Sequence, residues 1–374
     1  MKEDPHSTKN GQNQLNHVPL YALSGNADLR KSILSQRYDV ISRKSDIMRI
    51  DTPSRIHIAL IDLNGSYGRV DGGIGLTIEK PGYSMSLAES DRNIIEFAEK
   101  NLSQEVIDEY TLKINRAADR VREQLGINDS FAFTVNKTYP SHSGLGSGTQ
   151  IALATAKLMT EHADIHLPSV ELAKIVGRAG TSGIGAHGFD LGGFIVDGGH
   201  SKKQKKNFMP SSASEPVPPV LIGRYDFPEE WGIALVRPKV GAYFCGREEI
   251  DIFQTYCPLP KDEVKLLSHI IFMNLIPFLI EHDLEGFSAC INRIQEIAFN
   301  KVEFKLQPPE VTRTMNTMKE AGIPGVGLSS LGPTLFGVYD VRDTSVVKEM
   351  QEALGDTAEV LLTKGQNHGA VLYP

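Results

Sequence analysis

The spacing of apolar residues separates strand-like from helix-like segments along the chain. Residues 131–136 alternate apolar and polar side chains, which predicts a half-buried strand, and the nearly continuous apolar run at residues 54–63 predicts a fully buried one. Residues 150–159 are rich in helix formers. Residues 91–125 form a long amphipathic stretch with a break near residues 102–103, and Asp91 is a candidate cap for it.

The rest of the chain mixes strand-like and helix-like runs without strict alternation. Strand-like runs fall at residues 192–199, 231–240, 335–339, 359–363 and 370–373, and helix-like runs within residues 261–299, 312–321 and 345–354. This mixture favours an α+β fold of two domains. Residues 202–219 are rich in Ser, Pro and Lys and are the best candidate for a linker or flexible loop.

Length and local composition predict where the domains lie. The first 45 residues are rich in Asn, Ser, Lys and Asp and show little periodicity, so we interpret residues 1–45 as an extension that is partly disordered or lies on the surface. A chain of 374 residues is typical of about two domains, each with its own core. We therefore predict one domain over residues 46–205 and a second over residues 206–374.

A glycine- and serine-rich loop at residues 139–149 joins the alternating strand to the helix that follows it. Glycines leave backbone N–H groups open to a ligand, and the positive end of the helix dipole lies behind them, so this geometry favours phosphate groups. The loop is not a Walker A sequence, because no Gly-Lys-Ser/Thr follows its first glycine at the required distance. The alternative is a tight turn without a ligand. We predict that the loop binds a phosphorylated small molecule.

Composition narrows the class of protein. The chain is 40% hydrophobic and 23% charged, as in an ordinary soluble globular protein, and its net charge of −7 argues against a broad nucleic-acid-binding surface. Its three cysteines are too few and too scattered for a disulfide framework or a zinc site, which suits a reducing cytosol. The longest apolar run, residues 270–280, is too short to span a bilayer. We expect a cytoplasmic protein with neither nucleic acid nor a membrane as partner.

Polar side chains cluster just after the first buried strand. Asp62 and Asn64 stand at the end of that strand, and Arg69 and Asp71 lie in the glycine-rich connection at residues 64–75. Arg69 is suited to clamp a phosphate through its planar guanidinium, and Asp71 or Asp62 to hold a magnesium ion through oxygen. The alternative is a surface turn whose exposed Arg–Asp pair contributes little.

A second glycine-rich stretch at residues 179–193 contains His187 and Asp190. Residues 183–188 match the dinucleotide-binding fingerprint in form, but they follow a helix instead of a strand, so we reject that interpretation. His187, and also His142 in the first loop, are candidate ligand contacts because of their loop settings, and a structural role is the alternative for each.

Taken in order, these motifs resemble those of the GHMP small-molecule kinase superfamily. Residues 53–63 are similar to its first motif, residues 140–148 to its second and residues 325–334 to its third. More specifically, residues 55–65 and 68–75 resemble the β-ribofuranosylaminobenzene 5′-phosphate synthases, a GHMP-related family of the tetrahydromethanopterin pathway.

The resemblance runs from about residue 51 to the C-terminus and implies a fold and a reaction. The fold would pair an N-terminal ribosomal-protein-S5-like domain with a C-terminal ferredoxin-like domain. The reaction would be ribosyl transfer from phosphoribosyl pyrophosphate to 4-aminobenzoate or 4-hydroxybenzoate, with loss of carbon dioxide and pyrophosphate. Mg²⁺ would be the cofactor, and a homodimer is the expected assembly. The alternative is an ATP-dependent GHMP kinase, against which Gly185 argues because those kinases carry an aspartate there.

Within this hypothesis each candidate residue has a role implied by the resemblance. The glycine loop would bind pyrophosphate, arginines would anchor phosphate or carboxylate groups, and carboxylates would serve magnesium or the developing sugar cation. The predicted set is Asp62, His187 and Asp190 as catalytic residues, Asp71 as metal ligand, and Arg55, Asn64, Arg69, Gly72, Gly73, His142, Gly144, Leu145, Gly146, Ser147, Gly148 and Thr149 as substrate-binding residues.

Overall fold

Three β-sheets and the helices packed on them make up the computed structural model, which describes residues 47–210, 214, 217–240 and 247–374. The predicted N-terminal extension lies outside these residues. In chain order the strands are β1 (Met48–Asp51), β2 (Ser54–Asp62), β3 (Arg69–Ile78), β4 (Ser84–Glu89), β5 (Ile94–Phe97), β6 (Phe131–Lys137), β7 (Phe194–Asp197), β8 (His200–Ser201), β9 (Leu221–Tyr225), β10 (Trp231–Pro238), β11 (Gly325–Leu328), β12 (Leu335–Asp340), β13 (Ala358–Lys364) and β14 (Val371–Tyr373).

The helices fall in both halves of the chain. They are α1 (Gln104–Leu125), α2 (Ser147–His162), α3 (Ser169–Val176), α4 (Ile184–Leu191), α5 (Arg247–Tyr256), α6 (Lys261–Ile270), α7 (Ile276–Ile280), α8 (Leu284–Ile294), α9 (Ala298–Lys305), α10 (Pro309–Glu320) and α11 (Thr344–Leu354). A π-helical turn, Ile271–Leu275, makes α6 continuous with α7. The mixed content agrees with the predicted α+β class.

Strands from distant parts of the chain share sheets. The first sheet has the order β14-β1-β4-β6-β5, the second β2-β3-β7-β9 with β8 paired to β3, and the third β11-β12-β10-β13. The last strand, β14, therefore pairs with the first, and β9 pairs with β7. The boundary between residues 205 and 206 stays a prediction, and strands from both sides of it meet in the first two sheets.

Helix α1 begins just after the break that the sequence pattern predicts near residues 102–103. The Ser103 hydroxyl accepts a hydrogen bond from the Val106 N–H at 3.4 Å and caps the helix, which ends at Gly126 with φ of 66°. The expected cap at Asp91 is wrong, because Ile94–Phe97 forms strand β5 instead, paired in parallel with β6. Its apolar residues suit an edge strand as well as a helix face.

The glycine-rich connection predicted at residues 64–75 is a strand from Arg69 onward. Strand β3 pairs with β2 on one side and β7 on the other. Glycine within a strand marks a close approach of neighbouring backbone. At Gly75 a Cβ atom would lie 2.5 Å from the Ile56 carbonyl oxygen, so only glycine fits there.

Two hydrophobic cores hold the sheets and helices together. The continuous helical segment Lys261–Ile280 is long and apolar enough, by length and composition, to cross a membrane. Its Leu267, Ile271 and Leu275 side chains are nevertheless buried in the larger of the two cores. Only part of the segment is buried, since Phe272, Met273 and Ile280 are 40%, 62% and 57% exposed. The expectation that the apolar run at residues 270–280 is too short to span a bilayer does not cover this longer helical segment.

Candidate active site

A cleft of about 270 Å³ opens where the glycine loop before α2 meets strand β2 and the later part of the chain. Strand β2 contributes Arg55, His57 and Leu60 to its wall. Helix α9 contributes Glu303, and the turn after β11 contributes residues 330–332. The predicted phosphate loop thus borders a cavity, instead of lying on an open surface.

The loop has a backbone that only glycine adopts without strain at two positions. Gly144 and Gly146 have φ angles of 80° and 79°, and Gly146 is the residue that precedes α2. A Cβ atom on Gly144 would lie 2.2 Å from the Ser329 carbonyl oxygen. The Ser329 hydroxyl also donates a hydrogen bond to the Gly144 carbonyl at 2.8 Å. The loop is therefore clamped against the turn after β11, with the N-terminus of α2 facing the cleft.

Two cations stand at this end of the cleft. A Cβ atom on Gly148 would lie 3.5 Å from both terminal nitrogens of Arg178, so that guanidinium sits directly above the first turn of α2. Burial, together with Arg120 and Arg116 nearby, lowers the pKa of Arg178, and no carboxylate in the described part of the chain pairs with it. Lys113 also lines the cleft. Lys113 pairs with Glu109 at 2.5 Å, whereas Arg178 has no such partner among the described residues. Helix N–H groups and these two cations make this end suited to a multiply charged anion.

The rest of the cleft lining includes apolar side chains, one guanidinium and one carboxyl group. Leu60, Phe253 and Leu331 line the cleft, and each is at most 6% exposed. Burial lowers the pKa of Arg55 to about 10, which leaves it protonated at neutral pH, and its Nη1 donates to the Gly144 carbonyl. Glu303 is 4% exposed, and burial raises its pKa to about 8 although Arg55 opposes the shift.

His57, on β2, also lines the cleft and is held as a neutral imidazole. Burial, and then the charge of Arg55, lower its pKa to about 3. Its Nδ1 atom is buried and has no hydrogen-bond partner among the residues described. Its backbone N–H donates to the Ser329 hydroxyl at 3.1 Å, which fixes β2 against the turn after β11.

The chain is similar to known proteins over most of its length. Residues 112–198 match the model of the GHMP kinase N-terminal domain and residues 275–359 that of the GHMP kinase C-terminal domain. A β-ribofuranosylphenol 5′-phosphate synthase of Methanothermobacter thermautotrophicus is 46% identical over 323 residues, which cover 86% of this chain and 98% of the relative. The corresponding protein of Methanocaldococcus jannaschii is 40% identical over 87% of this chain and 100% of its own length.

This chain belongs to the β-ribofuranosylphenol 5′-phosphate synthase family. It is an enzyme of the pentosyltransferase class, and the predicted GHMP relationship is confirmed. Its fold is also that of a homoserine kinase from Cytophaga hutchinsonii, with a TM-score of 0.62 at 15% identity over 90% of this chain and 100% of that one. At this identity the likeness concerns the fold alone.

In this family member the cleft brings together only part of the predicted site. Arg55, His142, Gly144, Gly146 and residues 147–149 line it. Leu145 is 5% exposed and packs in the core behind the loop. Sequence reasoning missed Lys113, Arg178 and Glu303. Arg178 directly precedes the second glycine-rich stretch, which is a weak signal, and the other two lie on helices with no motif around them.

The polar residues after β2 hold a turn together away from the cleft lining. The Asp62 carboxylate accepts hydrogen bonds from the backbone N–H groups of Asn64 and Gly65, each at 2.8 Å. The Asn64 amide donates to the Leu259 carbonyl at 2.6 Å. The Arg69 guanidinium donates to the backbone carbonyls of residues 198 and 199 at 2.7 to 2.9 Å. Their predicted roles in the reaction stay predictions, and each has a structural partner here.

Asp71, on strand β3, lies in a buried ion-pair network. One of its carboxylate oxygens is 2.9 Å from the Lys205 ammonium and 2.6 Å from His200 Nδ1. Lys205 also donates to the Gly180 carbonyl and to the Thr181 hydroxyl, and Thr181 lines the cleft. The prediction that Asp71 binds a metal gains nothing from this geometry, because a lysine stands where a cation would be.

Gly72 and Gly73 allow the close packing of β3 on β7. Gly72 has a φ angle of 71°, and a Cβ atom on Gly73 would lie 3.2 Å from Asp197 Oδ2 and 3.4 Å from His57 Nε2. Asp197 is fully buried, and burial raises its pKa to about 7. These two glycines do not line the cleft, but the missing side chain at Gly73 lets strand β3 lie close to the His57 imidazole.

The second glycine-rich stretch packs behind the loop. The Asp190 carboxylate accepts a hydrogen bond from the Ser169 N–H at 2.7 Å and so caps the N-terminus of α3. His187 Nε2 lies 2.9 Å from the Pro219 carbonyl, and burial lowers the pKa of this imidazole. A Cβ atom on Gly185 would lie 3.3 Å from the Thr149 methyl carbon, so a side chain there would face the loop, and this chain has no carboxylate at that position.

Proposed function

We propose that this enzyme transfers the ribosyl 5-phosphate group of phosphoribosyl pyrophosphate to 4-hydroxybenzoate, with release of pyrophosphate and carbon dioxide. Ribosyl transfer agrees with the family, whose relatives are named for a ribofuranosylphenol product. A phenol product favours the hydroxy acid over the amino acid as acceptor. The observation that carries the proposal is a single cleft lined by the glycine loop, by cations and by apolar side chains.

The glycine loop and the cations suit the pyrophosphate leaving group. The bond from the ribose C1 to the pyrophosphate oxygen breaks, and negative charge grows on that oxygen. The N–H groups at the start of α2, with Arg178 and Lys113, are already in place to stabilise this charge. Donors that need no rearrangement stabilise a transition state more than a ground state.

The apolar side chains of the cleft suit the aromatic acceptor. A flat ring fills a pocket formed by Leu60, Phe253 and Leu331 without burying polar groups that lack partners. Arg55 lies between this pocket and the glycine loop, because its guanidinium contacts both Gly144 and Gly146. We place the acceptor carboxylate at Arg55, so that the ring carbon that bears it faces the ribose C1. Burial excludes water, which would otherwise compete for the sugar cation.

Magnesium would be held mainly by the substrate. The described residues contain no cluster of three or more His, Cys, Asp or Glu side chains that could hold a metal ion. Mg²⁺ usually keeps several waters and binds substrate phosphate oxygens instead of a cage made only of protein ligands. We therefore propose that the pyrophosphate oxygens would be its main ligands. When bound, Mg²⁺ would neutralise charge on the leaving group.

We also propose a homodimer in the cytoplasm. The cytoplasmic location rests on the composition and sparse cysteines of the chain. The edge strand β9 and the residue before it expose Val220 and Ile222, at 59% and 55%, which supports an apolar contact between copies. Sedimentation equilibrium of the wild type and of Ile222→Lys tests the homodimer. The wild type should have the mass of a dimer and the variant that of a monomer.

The decisive experiment follows the carboxyl carbon of the acceptor. Purified enzyme is incubated with carboxyl-labelled 4-hydroxybenzoate, phosphoribosyl pyrophosphate and Mg²⁺, and labelled carbon dioxide and pyrophosphate are measured. We expect both products in equal amounts, and neither when the ribosyl donor is replaced by ATP. Label that stays in the acid under all conditions would refute the proposal, and transfer of the γ-phosphate of ATP to an alcohol would indicate a kinase.

A further inference from the structure

Glu303 is a buried carboxyl group for which the described residues supply no hydrogen-bond donor. It lies on α9 (Ala298–Lys305), is 4% exposed, and borders the cleft. Arg55 influences it electrostatically, yet the two do not approach within the 4 Å of an ion pair. A buried carboxyl without a partner is costly, so its presence calls for a ligand or a chemical role.

The structure around Glu303 holds its helix in a fixed place. On the same helix, the Asn300 amide donates to the Ile58 carbonyl at 2.6 Å, which ties α9 to strand β2. The start of the helix is fixed by the Ala298 N–H, which donates to the Glu263 carboxylate at 2.8 Å. Rigid support of this kind keeps a functional group in its productive position.

The neighbours of Glu303 in the cleft indicate what it meets. Phe253 and Leu60 offer apolar surface to a ring, and Arg55 offers a cation to its carboxylate. We place a para-substituted benzoate with its carboxylate at Arg55 and its other end towards Glu303, which lines the same cleft. Among the described side chains that line the cleft, Glu303 is a carboxyl group able to accept a proton there.

We propose that Glu303 is a catalytic residue that accepts the proton of the acceptor's para hydroxyl group as the ring attacks the ribose. This inference rests on the proposed function, and it names the group that selects and activates the acceptor.

The step balances in atoms and charge. The ring carbon that bears the carboxylate forms a bond to the ribose C1, and the bond from C1 to the pyrophosphate oxygen breaks. The hydroxyl proton passes to the Glu303 carboxylate, and the ring becomes a neutral dienone. The bond to the carboxylate then breaks, carbon dioxide leaves, and its electron pair restores the aromatic ring. The oxygen takes the proton back from Glu303, so no other reactant is consumed.

The acidity of Glu303 suits this exchange. Burial is the main cause that raises its pKa to about 8; the charge of Arg55 opposes this shift and that of Glu249 adds to it. His57, which also lines the cleft, stays neutral because burial lowers its pKa to about 3. A base whose pKa lies near the working pH is both available and strong enough to take the proton.

The test compares Glu303→Gln and Glu303→Asp with the wild type and with the control Glu310→Gln. Glu310 lies on the next helix, is exposed, and pairs with Arg313 at 2.6 Å. Carbon dioxide release is measured from pH 6 to 10, and binding of phosphoribosyl pyrophosphate by calorimetry. We expect E303Q to lower kcat about 10²–10⁴-fold, as loss of a general base does, with unchanged donor affinity. E310Q should match the wild type.

The pH profile separates a catalytic from a structural role. For the wild type, kcat/KM should rise with pH up to about 8 as Glu303 ionises, and E303Q should lose this limb. Ionisation of the acceptor's own hydroxyl group also changes kcat/KM with pH, and this change is the same for both enzymes. If E303Q does not fold, E303D is used in its place. A shift along the pH axis of the rise in kcat/KM, with unchanged affinity for phosphoribosyl pyrophosphate, supports the proposal.

The outcomes also distinguish this inference from the proposed function. A wild type that releases no carbon dioxide refutes the proposed function itself. A wild type that is active, with E303Q or E303D equal to it in rate and pH profile, overturns the role of Glu303 and leaves the proposed function standing.

Discussion

Replacing Gly148 by alanine separates anion binding from folding. Gly148 lies in the first turn of α2, and its added methyl group would lie 3.5 Å from both Nη1 and Nη2 of Arg178. That distance is an ordinary van der Waals contact, so the methyl group fits the folded protein. It fits, however, in the space that an anion would occupy if it contacted both the guanidinium and the helix N-terminus.

The expected magnitudes differ for the two properties. Loss of one charge-assisted hydrogen bond costs about 1.5–3 kcal/mol, which weakens binding of pyrophosphate roughly 10- to 150-fold. Alanine is favoured over glycine in a helix by at most about 1 kcal/mol, so the melting temperature should stay the same or rise slightly. Gly148→Ala should therefore bind poorly while it folds normally.

Substitution of Gly126 serves as the control, because it should lower stability and leave pyrophosphate binding unchanged. Gly126 ends α1 with a φ angle of 66° and has nothing within 4 Å of its added Cβ. Gly126→Ala should lose about 1 kcal/mol of stability, because the left-handed conformation disfavours a side chain. Its pyrophosphate affinity should not change.

Isothermal titration with pyrophosphate at low and moderate salt, with thermal unfolding of both variants, makes the comparison. Wild-type affinity in Gly148→Ala would show that no anion lies between Arg178 and the first turn of α2. The assignment of the loop to pyrophosphate would then be abandoned, whatever the effect of Gly126→Ala.

Three further predictions concern stability, measured by urea unfolding. Gly144→Ala should cost more than about 2 kcal/mol, because its Cβ would lie 2.2 Å from the Ser329 carbonyl oxygen at a φ angle of 80°; normal stability would contradict the clamp. Asp71→Asn should cost about 3–5 kcal/mol of stability, because it leaves the Lys205 ammonium buried without its carboxylate. Adding Lys205→Met to this variant should recover part of the loss. If the losses of the two substitutions simply add, the pair is not coupled. Folding raises the pKa of Glu303 from 4.5 to about 8, so between these pH values the native state retains a proton that the unfolded state releases. The free energy of unfolding should therefore fall by a few kcal/mol as the pH rises through this window. If its slope against pH is the same in Glu303→Gln, the reasoning is refuted.

Local patterns predicted the elements that position the loop. The strand expected at residues 54–63 is found at Ser54–Asp62, and the helix expected at residues 150–159 lies within Ser147–His162. These segments have one dominant environment, a buried sheet and a buried helix, so periodicity and composition agree. The order of the motifs then identified the family, which the relatives confirm.

The proposed acceptor pocket could not be predicted in the same way. Glu303 reaches the cleft because Asn300 ties its helix to Ile58, a contact between residues 242 positions apart in the chain. No local pattern reports such a contact. Asp62 and Asp190 illustrate the converse problem, since short carboxylates at strand and helix ends look alike whether they bind a ligand or a backbone N–H group.

The cleft also indicates how one fold serves two kinds of transfer. The residues that we propose bind pyrophosphate, the glycine loop and Arg178, come from the first two hundred residues. The proposed acceptor pocket is completed by Phe253 and Glu303, which come from helices later in the chain. Gly185 stands where a kinase is expected to carry a carboxylate beside the loop, and in our proposal Glu303 supplies a carboxylate from another part of the cleft lining. A change from phosphoryl to ribosyl transfer would then need no change in the phosphate loop, only a base at a different position.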